Sequence, residues 1–261
     1  MYIFELTKPG NWLECEDKDW SLKIERLLHL LESAFYEANV ALNLFMQQRK
    51  LHIEQQGVSQ SQWDNEMQER RAIEDRVRKE MGVSPFENSE HVRFEVEVRI
   101  KREQWVNGYV PQSHKHCLTF IHAKSFLYAI DAIDKFLKVI LLEPGVPNTI
   151  QKLHEKIGIE FPDLRGVRNS TQHLEDRARG LGAGRDPKPL NLQPINNAFM
   201  HAPQGALVLN SLNGTKFGTT MADGHYGEVD ISPESLSKIQ SIIQGVLDSF
   251  KWIGNKQHLP R

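Results

Sequence analysis

Residues 168–173 read Arg168-Asn169-Ser170-Thr171-Gln172-His173: an arginine, a polar residue, three further residues and a histidine. Arginine is a permanent cation whose planar fork can grip a phosphate through two parallel N–H donors. Histidine moves protons near neutral pH. A group that holds phosphate and a group that shuttles a proton are the minimum equipment for cleaving RNA without a metal ion. The stretch lies at the head of a predicted helix, with Asp163 as its cap and Gly180 as its stop. Gly166, Asn169, Ser170 and Thr171 are weak helix formers, so helix stability alone does not account for their presence.

The spacing constrains how such a site is built. Successive helical residues turn by about 100°, so five steps leave Arg168 and His173 roughly 140° apart around the axis. Asn169 and His173, four apart, share a face. One helix therefore does not easily aim Arg168 and His173 at one phosphate, whereas two copies facing each other across a homodimer would. The spacing predicts a composite site made by self-association. Arg165, Arg177, Arg179 and Arg185 flank the motif and could track an RNA backbone electrostatically. Glu175 and Asp176 beside them fit a solvated, self-paired helix face equally well.

The elements that must position these residues are mostly helical. Leu27, Leu28, Leu31, Phe35, Ala38, Leu42 and Phe45 recur at three- and four-residue steps, which marks an amphipathic helix over 18–54. Gly57 and the Ser59-Gln60-Ser61 cluster interrupt it. Residues 62–81, rich in Glu, Arg and Gln, read as a solvated surface helix ended by Gly82 and Pro85. In 94–100, Phe94, Val96, Val98 and Ile100 alternate with charges as a strand would. Opposite charges at Glu95/Arg99, Glu97/Lys101 and Arg99/Glu103, with no Gly or Pro from 87 to 106, tilt the reading to helix. Residues 119–142 form the strongest core helix, with Phe120, Ala123, Leu127, Ile130, Ile133 and Phe136 on its apolar face and Pro144-Gly145 closing it. A short helix follows over 149–157.

The chain then changes character. Residues 183–204 hold four prolines and few periodic apolar residues, so they read as a long irregular connection. Residues 206–212, 216–221 and 228–231, separated by turns at Asn213-Gly214 and Asp223-Gly224, read as a small antiparallel meander. Ser232-Pro233 opens a last helix whose Leu236, Ile239, Ile242, Ile243, Val246, Leu247 and Phe250 give a clear core face. The expectation is one mainly α domain over 1–261. Residues 62–82 would be its surface helical elaboration, 183–231 its irregular connection and β meander, and 232–253 its C-terminal core helix.

Composition narrows the class. A net charge of −2 gives no global basic field, so any RNA contact must be local. Two cysteines, Cys15 and Cys117, are too few for a disulfide framework or a cysteine-rich zinc site and suit a reducing cytoplasm. Residues 1–10 lack a charged head followed by an apolar run, and Lys124, Asp131, Asp134, Lys135 and Lys138 break the longest apolar stretch. The expectation is a cytoplasmic protein with no membrane segment.

Other candidates for chemistry are weaker. His114, His116, Cys117 and His122 hint at a metal site, but His114-x-His116 reads as loop and no carboxylate or second cysteine completes the set. No metal or cofactor is expected. Gly180-Leu181-Gly182-Ala183-Gly184 follows a helix instead of a strand, which fits helix capping better than a phosphate loop. His225 beside Asp223 reads as structural. Ser170 and Thr171 have no base and orienting partner beside them in sequence.

The Arg168–His173 pattern, on a late helix after a long amphipathic one, resembles the HEPN superfamily of small helical domains. Many members of that superfamily are metal-independent endoribonucleases of toxin–antitoxin, CRISPR and abortive-infection (phage-defence) systems. Phe120-Ile121-His122-Ala123-Lys124-Ser125-Phe126-Leu127-Tyr128-Ala129 is similar to the core helix of abortive-infection HEPN proteins. Asp223-Gly224-His225-Tyr226-Gly227-Glu228-Val229 is similar to a late extension in that group. The likeness covers roughly residues 20–252 in layout, with Arg168–His173 its one function-specific motif. It implies a HEPN-like helical bundle with the meander inserted before the last helix, and a homodimeric endoribonuclease. In that role His173 takes a proton from a ribose 2′-hydroxyl or gives one to the departing 5′-oxygen. Arg168 holds the scissile phosphate and offsets the charge that builds on it. Asn169 orients His173 or bonds the phosphate. RNA is the implied substrate, with an antitoxin or regulatory partner. The alternatives are a non-catalytic HEPN module that binds RNA, a nucleotide or a protein, and a helical scaffold that docks a partner through 62–81.

Overall fold

The computed structural model describes every residue except 55–59, 85, 86 and 88; at 52–54 and 60–62 it describes the backbone alone. The chain opens with strands β1 (Leu6–Lys8) and β2 (Trp12–Leu13). Helices α1 (Lys18–Glu54), α2 (Gln60–Met81), α3 (Glu90–Val106), α4 (Gln112–Leu141), α5 (Thr149–Glu160), α6 (Leu164–Gln172) and α7 (Leu174–Ala178) follow. Strands β3 (Ile195–Asn196), β4 (His201–Ala202), β5 (Ser211–Asn213), β6 (Lys216–Thr220) and β7 (Tyr226–Asp230) precede helix α8 (Pro233–Asp248) and strands β8 (Trp252–Ile253) and β9 (Gln257–Leu259). The protein is mainly helical, with an antiparallel β5-β6-β7 sheet directly before α8. Among the described residues no helix is long and apolar enough to cross a membrane.

Several expectations meet the structure at element level. The 94–100 segment lies within helix α3, where Glu95–Arg99 and Glu97–Lys101 form the ion pairs that its spacing predicts. Glu103 instead faces Arg76 of α2 at 3.8 Å. His114 and His116 lie on α4, not in a loop: the helix begins seven residues earlier than the apolar pattern indicates. Gln60 and Ser61 open α2 instead of interrupting a helix, while Gly57, Ser59 and Pro85 lie outside the described residues. Ser232 caps α8 as expected, its hydroxyl accepting from the Ser235 amide with Pro233 in the first turn.

The chain folds into two compact units, Met1–Met46 with Phe120–Arg261, and Gln47–Thr119. The smaller unit contains the α2–α3 hairpin, whose core is Ile73 and Val77 against Val92 and Val96. Arg99 bridges Glu80 of α2 at 2.7 Å and Glu95 of its own helix at 2.8 Å across this seam.

The larger unit is built around three apolar faces. Leu28, Leu31, Phe35, Leu42 and Phe45 of α1, Phe126, Leu127, Ile130, Ile133 and Leu137 of α4, and the Ile239–Leu247 face of α8 belong to one continuous core. Each such fully buried Leu, Ile or Phe contributes about 1.5–3 kcal/mol. The termini join this unit through β1 pairing with β9, Leu6 opposite Leu259, and β2 with β8, Leu13 opposite Trp252. The sheet packs its Phe217 and Val229 into the core, with Phe217 edge-on to Phe120 at 6.3 Å between ring centres. The sheet therefore helps form the core.

Candidate functional site

The motif helix is pinned by the β sheet. Asp163, expected as its cap, makes no capping bond and accepts the Glu228 amide of β7 at 3.1 Å instead. A Cβ at Gly166 would overlap Met221 Sδ, and one at Gly227 would come within 2.7 Å of it. Gly166 is thus glycine because α6 and β7 both approach Met221 closely. Ser170 is fully buried and accepts from Arg177, and buried Thr171 donates back to the Val167 carbonyl at 2.7 Å. Of the four weak helix formers, three have packing or hydrogen-bonding reasons to be there. Asn169, half-buried, is the one left without such an account.

The helix does not continue through the motif. α6 ends at Gln172, and His173 breaks the run with φ −116° and ψ 46° before the single turn of α7. The separation of roughly 140° expected for a continuous helix therefore does not carry over to His173. The amide of His173 still donates to the Asn169 carbonyl at 3.1 Å, which keeps those two residues adjacent.

Arg168 and His173 have different surroundings. Arg168 Nε faces Asp131 Oδ2 of α4 at 2.9 Å, and Nη1 donates to Gln172 Oε1 at 2.7 Å. Asp131 is 5% exposed and also meets Lys135 Nζ at 2.6 Å. A carboxylate buried in a helix face that is otherwise apolar is costly unless a cation pairs with it. His173 is exposed, with Nδ1 3.7 Å from Glu175 Oε1. Among the described residues no ion pair or hydrogen bond joins Arg168 to His173. His173, Glu175 and Asp176 also offer ligand atoms within 4.8 Å of one another, the one such grouping among the described residues. It does not include His114, His116, Cys117 or His122.

The flanking arginines divide into two kinds. Arg177 is 1% exposed; its Nε donates to Ser170 Oγ at 3.2 Å, and its Nη1 donates to the Gly182 carbonyl at 2.7 Å and to the Leu181 carbonyl. It closes the loop after α7 and cannot lie on an RNA surface, which corrects the expectation from sequence. Arg165, Arg179 and Arg185 are exposed, with Arg179 3.6 Å from Asp176. Gly180 takes φ +71° after α7, in keeping with a helix stop instead of a phosphate loop. His225 sits in the turn with its amide on Asp223 Oδ1, as a structural residue would.

Asp131, Gln172 and Tyr128 complete the surroundings of Arg168, and none was expected from sequence as a site residue. Asp131 carried a usable signal: a carboxylate within the apolar periodicity of the strongest core helix must have a buried cation. Burial pushes the Tyr128 hydroxyl above its ordinary pKa, while the Arg168 charge acts in the opposite direction. Burial also lowers the His122 imidazole below its usual value. No family model, curated protein or solved structure matches the chain.

Proposed function

We propose that the protein is a metal-independent endoribonuclease with a HEPN-like helical bundle and an Arg168/Asn169/His173 site completed across a homodimer. The observation that carries this reading is the contrast between the two charged residues. Arg168 is held from behind by Asp131 and Gln172, which leaves its Nη2 end for a phosphate. His173, at the helix break, is free to face outward. An oriented cation and an exposed proton carrier are the two groups that such a site would bring to one phosphate, and the second copy is the part of the reading that the spacing suggests and the experiment below tests.

In such a site the 2′-oxygen attacks phosphorus as His173 of one copy takes its proton. The bond to the 5′-oxygen breaks and that oxygen is protonated in turn, which yields a 2′,3′-cyclic phosphate and a free 5′-hydroxyl. Arg168 offsets the charge gathering on the phosphate oxygens, and Asn169 orients the imidazole or the phosphate. Exposed Arg165, Arg179 and Arg185 supply the local positive charge that the net charge of −2 does not. Cytoplasmic toxin or phage-defence action, with an antitoxin or regulatory partner, is the setting that the resemblance implies.

The test is incubation of purified protein with structured and single-stranded RNA in a chelator. Cleavage is expected for wild type and lost in Arg168→Ala and in His173→Ala. Mixing the two inactive variants should restore activity at roughly a quarter of the sites, since about half the dimers are mixed and each carries one intact pair. Inactivity of the mixture would place both groups in one chain. The Asp131 ion pair favours a second reading, a non-catalytic RNA- or nucleotide-binding module, which intact RNA with measurable binding would select.

A further inference from the structure

A groove of about 770 Å³ lies between α1 and α4 in the larger unit, lined in part by Tyr36, Glu37, Val40, Leu44, His122 and Tyr128. Its size falls within the roughly 300–1,000 Å³ of small-ligand sites. The groove includes Tyr128 of α4, whose hydroxyl feels the charge of Arg168. Tyr128 and Asp131 are three residues apart on α4 and so are neighbours on its surface, and Asp131 holds Arg168. The groove is aromatic and apolar in its body, with polar groups at a few points. Tyr36 carries a hydroxyl that is buried without a hydrogen-bond partner.

We propose that this groove is a nucleobase subsite, in which Tyr128 stacks on the base of the RNA nucleotide whose phosphate Arg168 grips. The proposal rests on reading Arg168–His173 as an RNA site. A base suits the groove because it presents a π-face to a tyrosine ring and donors and acceptors along one edge, where the partly exposed His122 imidazole can meet them. A helix from a second copy suits it less, since seating one there would strip water from the Glu37 carboxylate. The electrostatic influence of Arg168 on the Tyr128 hydroxyl agrees with their closeness.

The experiment measures binding of uridine 3′-monophosphate, adenosine 3′-monophosphate and ribose 5-phosphate to the full chain by calorimetry. At least one nucleotide should bind about tenfold more tightly than the base-free sugar phosphate, the range expected for one stacked base. Tyr128→Ala should abolish that margin and Tyr128→Phe should keep it, with circular dichroism confirming that both are folded. Equal affinity for nucleotides and ribose phosphate, or an unchanged margin in Tyr128→Ala, overturns the proposal. So does a Val40→Glu/Leu44→Glu variant that turns a dimer into monomers while nucleotide binding persists, because the groove then seats a second copy. RNA cleavage that proceeds without a Tyr128-dependent margin removes the subsite and leaves the ribonuclease. Tyr128-dependent nucleotide binding without cleavage does the reverse.

Discussion

Removing the carboxylate behind Arg168 gives the sharpest test of how the site is held. Asp131→Ala leaves a guanidinium whose side chain is only 13% exposed with one neutral partner, Gln172. Breaking a buried pair on one side costs about 3–5 kcal/mol. The lower end applies here, because Gln172 keeps one bond and the Arg168 edge reaches water. Lys135 adds little, since its side chain is 56% exposed and pairs in solvent. A loss of about 3 kcal/mol should lower the urea midpoint by about 1 M at an m-value of about 3 kcal/mol/M. The number that isolates the pair is the coupling energy from a cycle of Asp131→Ala, Arg168→Ala and the double variant. Once Arg168 is gone, Asp131 retains only Lys135, so the two single losses should exceed the double by about 1.5 kcal/mol or more. Additive losses within about 0.5 kcal/mol would refute the claim that Asp131 orients Arg168. The Michaelis parameters of any cleavage supply a second readout: Asp131→Asn should lower kcat more than it changes KM, because it disturbs the aim of Arg168 without removing it.

The other expectations divide along burial. Arg177→Met should destabilise the fold by about 2–4 kcal/mol, since Ser170 and two carbonyls lose their donor; an RNA-affinity loss in a fully stable variant would show instead that Arg177 is a surface contact. Arg179→Ala and Arg185→Ala should each reduce the salt dependence of RNA binding by about one phosphate contact with little effect on stability, which filter binding from low to moderate salt reads directly. Gly166→Ala should cost about 1–2 kcal/mol by displacing Met221, and Met221→Ala should recover part of it; equal losses in both backgrounds would argue against that contact. His122 has a pKa lowered by burial, so the unfolded chain binds its proton first and stability falls as pH drops below about 6.5. His122→Gln should flatten that slope in urea melts at successive pH values.

What could be read from the sequence follows from which signals are local. The three-four periodicity over 18–54 and the Ser232-Pro233 start both appear at their expected places, because apolar faces and caps are written in neighbouring residues. The three-stranded order of the meander was also legible, but its first strand is Ser211–Asn213 instead of 206–212, and the two-residue turn falls at Gly214-Thr215, one position beyond the expected pair. Pairing of β1 with β9 and of β2 with β8 was not, since it joins segments about as far apart as the chain allows and has no local pattern. The early start of α4 was missed for a different reason. Residues 112–118 carry little of its apolar face, so periodicity had nothing to detect there.

At the site, the same distinction decides what each residue means. The weak helix formers in 166–171 are anomalous as a helix and ordinary as a contact surface. Gly166 makes room for Met221, Ser170 accepts from buried Arg177, and the Thr171 hydroxyl donates to the Val167 carbonyl. With those contacts in place, composition says little about chemistry here, and the weight falls on Arg168, Asn169 and His173. Asp131 then shifts the weight again. A phosphate-gripping arginine and a structural arginine look alike in sequence, and both can be salt-bridged in the free protein. They differ in whether a donor edge remains toward solvent. The Arg177 donors end on Ser170 and the loop carbonyls with 1% of the residue exposed, whereas Arg168 commits Nε to Asp131 and Nη1 to Gln172 and keeps 13% of its side chain exposed. The functional reading therefore depends less on the spacing of the motif than on Asp131, a residue outside it, which fixes the direction in which Arg168 can act.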